Sequence, residues 1–125
     1  MADWMQTIIE VCKPRYVYLI GLYCVMCMDV VTGLIGAFAS KSFSSTKMKE
    51  GAFHKSGIIL ISMFGLLIDV LSAFIDGLPF QTPLTMAFCV YLIGMEAMSI
   101  VENLVIINPE LKDAKAIQML LPKED

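Results

Sequence analysis

One histidine, one tryptophan and 17% charged residues among 125 are little material for an enzyme. No nucleophile stands beside a base, no HExxH is present and no glycine-rich loop could cradle a phosphate, so no catalytic constellation is visible. No basic patch suited to nucleic acid exists, and the formal charge of -3 says less than where the charges fall. No run alternates apolar and polar residues, which argues against strands. The opening segment, MADWMQTIIEVCKPR, carries Asp3 and Glu10 where a secretory signal is basic, and it lacks a small-residue cleavage site; the first apolar run is expected to be retained. Of four cysteines, Cys24, Cys27 and Cys89 fall inside apolar runs, and Cys24-x-x-Cys27 has no second ligand pair, so packing is expected of them rather than metal or redox chemistry. His54, alone beside Lys55, is expected to meet solvent or lipid headgroups. Neither a metal nor a cofactor is expected.

What is present is apolar length. Hydrophobic residues make up 58% of the chain and mean hydropathy is +0.75, above the roughly half that soluble domains show. The pattern predicts an all-α integral membrane protein of three transmembrane helices, over 16–39, 57–75 and 84–108, because lipid admits only helices or closed barrels. Tyr16, Tyr18 and Tyr23 crowd the first end of the first span, as an interfacial belt does. Segments 1–15 and 109–125 are expected to form short amphipathic helices lying on the bilayer or on a neighbouring subunit: Trp4, Met5, Ile8 and Cys12 recur at helical spacing in one, Leu111, Ala114, Ile117, Gln118 and Leu121 in the other. Glu110, Asp113, Glu124 and Asp125 among the tail lysines favour subunit packing over anionic lipid there. The connection 40–56 holds Lys41, Lys47, Lys49 and Lys55, whereas 76–83 holds no lysine. The first is therefore expected to be a basic cytoplasmic loop at the membrane surface, placing the N-terminus outside, although Lys13 and Arg15 pull against this.

Each apolar run carries an acid near its centre: Asp29, Asp69 and Glu96. An acid at mid-bilayer costs about 2.5–3.5 kcal/mol on insertion scales, so each requires a partner, a proton or water. Each also belongs to a stripe at helical spacing. Asp29, Thr32, Gly33 and Gly36 share a face in the first span; Ser62, Gly65, Asp69 and Ser72 in the second; Glu96, Ser99 and Asn103 in the third, with Glu102 toward its edge. Small and hydroxyl-bearing residues let helices approach and hydrogen-bond, so the stripes are at least packing surfaces. With no Lys, Arg or His inside the predicted spans, the acids are expected to be protonated, mutually hydrogen-bonded or turned toward water in a homo-oligomer.

The segments Asp29-Val-Val-Thr32-Gly33, Ala37-Phe-Ala39, Lys41, Ser44-Ser45, Gly51, Lys55, Asp69, Glu96-Ala-Met-Ser99-Ile100-Val-Glu102-Asn103 and Pro109-x-Leu111 resemble the toxin secretion/phage lysis holin family, over about residues 29–121. That resemblance implies a small multi-pass protein of the bacterial inner membrane. It would accumulate harmlessly, then assemble into lesions that release an endolysin, or in some relatives a toxin, without needing direct contact with that cargo. Two other readings use the same residues. An ion- or proton-conducting channel or transporter subunit would employ the acids as a relay, and a structural partner of a larger complex would need only the stripes.

Overall fold

Helix boundaries in the computed structural model, which describes residues 2–121, follow the chain's few caps and breakers. Helix α1 (Asp3–Cys12) has an acid in its first turn, where the helix dipole favours negative charge, and stops ahead of Pro14. Helix α2 (Tyr16–Ala39) ends just before Lys41, whose φ of 56° turns the chain. Ser44 then caps the next helix, its hydroxyl accepting from the Lys47 N–H at 3.4 Å.

That helix, α3 (Ser45–Ser72), begins well before the Gly57 that polar composition predicts. The expected basic loop is mostly three extra helical turns. Ser44 supplies the start signal, no proline intervenes before Pro79, and Gly51 and Gly57 at about 1 kcal/mol each are too weak to break so long a helix. Past Ser72, Gly77 in the left-handed region and Pro79 carry the chain round to α4 (Leu84–Ile107). The tail comprises a 3-10 turn, Pro109–Asp113, capped by the Asn108 side chain, then α5 (Lys115–Gln118). An extended Ala114 separates the two, so the single helical run suggested by residue spacing is divided. Glu124 and Asp125 lie outside the described residues.

Side-chain register gives the arrangement of the three long helices. Gly21 faces Ile93, Gly33 faces Asn103 and Gly36 faces Ile106, so α2 and α4 run parallel. Helix α3 runs against both, with Gly65 beside Thr85 and Phe88, and Ser62 beside Tyr23. All three are long and apolar enough to cross a membrane; at 1.5 Å per residue the 24-residue helices reach about 36 Å. Past the polar first turns of α3 their outward faces are mostly apolar, with Leu60 and Tyr91 among the most exposed side chains. Leu19, Leu22, Met26, Ile58, Cys89 and Leu92 form the buried core, toward the first half of α2. Lipid is as apolar as leucine, so burial alone does not hold such helices together; close contact and polar cross-links do. Gly65 is the closest contact: a Cβ there would come within 2.8 Å of Phe88 Cδ2 and 3.2 Å of the Thr85 N.

Candidate functional site

Beyond the apolar core the three helices meet in a charged cluster. Lys55 of α3 places its Nζ against Asp29 Oδ2 of α2 and Glu96 Oε2 of α4, one ion pair to each neighbouring helix. The side chains are nearly enclosed, with Glu96 at 2%, Asp29 at 13% and Lys55 at 16% exposure. Asn103 closes the other side: its Nδ2 donates to Asp29 Oδ1 at 3.0 Å and to Thr32 Oγ1 at 3.1 Å. Thr32 in turn donates back to the Met28 carbonyl at 2.9 Å. His54 Nε2 stands 4.0 Å from Glu96 Oε1 with its ring largely exposed.

This corrects the reading that no cation is available to the acids and that Lys55 is a surface-loop residue. Because α3 starts at Ser45, Lys55 lies ten residues inside it, about 15 Å from its end, and its long stem carries the ammonium inward. Spacing held the clue, since Lys55, Ser62 and Asp69 are seven residues apart and extend one helical face backward.

A second cluster secures the opposite end. Pro83, at the start of α4, offers no side-chain cap, and Asp69 provides one from α3. Its Oδ1 accepts from the Leu84 N–H at 2.8 Å, and its Oδ2 from the Thr85 N–H at 3.0 Å and hydroxyl at 2.8 Å. Arg15 Nε reaches the same Oδ2 at 2.8 Å, while its Nη1 donates to the Val11 carbonyl. One fully enclosed carboxylate thus joins α3, the start of α4 and the α1–α2 turn. Neither Arg15 nor Thr85 stood out as a site residue from sequence, because Arg15 precedes α2 and Thr85, though on the Glu96 face, is separated from Glu96 by the apolar Cys89 and Leu92.

The remaining candidates divide. Ser62 is fully buried and bonded to the Tyr23 hydroxyl at 2.9 Å. Gly33 and Gly36 rest against α4 at ordinary contact distance, and Gly65 far closer to it. Ser72 bonds back to the Ile68 carbonyl of its own helix. Ser99 is half-buried and Glu102 exposed, and among the described residues neither joins a cluster. Lys41, Lys47 and Lys49 are exposed. Cys89 packs in the core, whereas Cys24 and Cys27 face outward from α2. Between α2 and the first turns of α3 lies a groove of about 420 Å³ that reaches Asp29 and Lys55.

Two carboxyl groups from different helices thus share one ammonium on a third. No curated protein and no solved structure matches this chain. A family model does match, across residues 14–119, a stretch that contains Arg15, all three long helices and both clusters. On that match this all-helical membrane protein with multiple spans belongs to the bacteriophage holin family.

Proposed function

We propose that this holin accumulates in the bacterial inner membrane as closed three-helix units and then assembles into lesions that let an endolysin, or a toxin, leave the cytoplasm. The observation that carries the reading is the Lys55 ammonium held between one carboxylate from α2 and one from α4. Moving α3 away from the α2–α4 pair strands these charges in hydrocarbon, and breaking a buried pair costs about 3–5 kcal/mol when a partner is lost. A single copy therefore stays closed. Copies that turn the same faces toward a shared water-filled space recover solvation together, which makes opening collective and abrupt. Asp29, Thr32, Asn103, Glu96 and Lys55 then line water or a new subunit contact, and the small-residue faces at Gly33, Gly36 and Gly65 serve assembly. The lysines at 41, 47 and 49 hold the turn between α2 and α3 on the cytoplasmic side. Endolysin passes through without a dedicated docking site.

The test is induction of the protein alone in a bacterium, with a large folded cytoplasmic enzyme as reporter. Abrupt appearance of that enzyme outside the inner membrane after a silent delay is the expected result. Collapse of membrane potential with the enzyme retained would replace the reading with an ion-sized pore or channel.

A further inference from the structure

The groove between α2 and α3 has a chemistry of its own. Its walls are apolar, formed by Leu34 on α2, Phe43 in the connection and Met48 and Ala52 on α3, while Lys47 and the Ser44 hydroxyl stand at its rim. It ends on the Asp29–Lys55 pair. Its lining runs from Asp29 to Ala37 on α2 and from Lys47 to Lys55 on α3, eight residues or about 12 Å on each wall, which is most of one leaflet of a hydrocarbon layer about 30 Å thick. An apolar channel nearly one leaflet deep, with Lys47 at the end nearer the α2–α3 connection, matches one kind of occupant.

We infer that the groove holds one acyl chain of an anionic phospholipid from the leaflet on the Lys47 side, with its phosphate at Lys47 and Ser44. Charge complementarity fixes the head, and the length fixes the chain. Bound there, the chain covers the Asp29–Lys55 pair and keeps water from it. Resting on the lesion-forming reading, the consequence is regulatory: the lipid stabilises the closed unit and has to leave as α3 moves.

The lipid contact can be measured without any lesion. Full-length protein carrying Trp4→Phe and Phe43→Trp has a single indole, at the groove, and is placed in phosphatidylcholine vesicles containing a small fraction of brominated lipid. Brominated phosphatidylglycerol should quench that indole at about fivefold lower content than brominated phosphatidylcholine, the preference one lysine near an anionic headgroup supplies. Lys47→Gln should abolish the difference. Gly51→Leu keeps the lysine but fills the groove, since nothing lies within 4 Å of a Cβ there, and a helix accepts leucine better than glycine; it too should abolish the preference. Equal quenching by both lipids in the parent protein would overturn the inference. So would a preference that survives Gly51→Leu, because the lysine alone would then be gathering lipid. Failure of reporter release in cells would count against the lesion reading and leave this result standing.

Discussion

Removing the Lys55 ammonium leaves Asp29 and Glu96 facing each other across a nearly closed space, with Asn103 bonded to one of them and only the largely exposed His54 ring, 4.0 Å away, beside the other. Lys55→Met is therefore expected to destabilise the closed unit by about 3–5 kcal/mol and to bring lysis forward, measured as the interval from induction to reporter release. Adding Asp29→Asn and Glu96→Gln removes the stranded charges, so the triple variant should recover helix packing yet release reporter late or not at all. Unchanged timing in Lys55→Met would show that the cluster plays no part in triggering. Glycines provide a second contrast at the same scale. Gly65→Ala drives a methyl group to within 3.2 Å of the Thr85 backbone N and should loosen the α3–α4 contact by about 1–3 kcal/mol. Gly36→Ala meets Ile106 no closer than 3.6 Å and should be tolerated. Thermal unfolding of the two variants in detergent, followed by helical signal, separates them; equal losses would refute the register assigned to these helices.

Among the elements, α4 depends on α3 for its start. Asp69→Ala removes the acceptor for two backbone N–H groups and a hydroxyl while leaving Arg15 unpaired. Losing a cap costs about 0.5–2 kcal/mol, and the unpaired cation adds to it. Amide exchange over 84–88 should accelerate by about 2- to 30-fold from the cap alone, with little change over 96–103, where other contacts hold the helix. Uniform acceleration along α4 would mean that Asp69 supports the whole bundle rather than one helix end. Much of this architecture was legible in the sequence because α2 and α4 are uninterrupted apolar runs ended by recognisable breakers, and because the stripes on α2, α3 and α4 keep helical spacing. The first three turns of α3 were not legible. They are polar, so composition assigned them to a loop, and only the Ser44 cap marks them as helix. That one boundary removed Lys55 from the spans and left the acids without a partner. The Arg15–Asp69 pair was hidden for another reason: its members are 54 residues apart, and Arg15 lies on the Pro14 turn just outside α2. Periodicity reports which face a residue occupies, not which distant face it meets.

For the molecule as a whole, what matters is that both charged clusters join residues distant in sequence while most of the outer surface of the long helices, past the polar first turns of α3, is apolar. A single copy has the charges of its two clusters turned inward, and among the described residues no buried polar side-chain atom lacks a partner. It therefore gains nothing by opening alone. On the lesion-forming proposal, opening becomes favourable only when several copies exchange internal partners for shared water and for one another, so the driving force depends on how many copies meet. Two behaviours follow at the level of the cell. Membrane potential should stay intact while the protein accumulates, because closed units conduct nothing. Raising the rate of synthesis should shorten the delay while leaving the rate of reporter release after onset nearly unchanged, since the lesion that forms is the same. Both are read from one experiment, with graded inducer, a potential-sensitive dye and the reporter enzyme followed together. A leak that grows in proportion to protein from the first minutes would contradict the closed unit, because each copy would then be conducting by itself, and the Lys55 cluster would have to be reread as the lining of a permanent ion pathway.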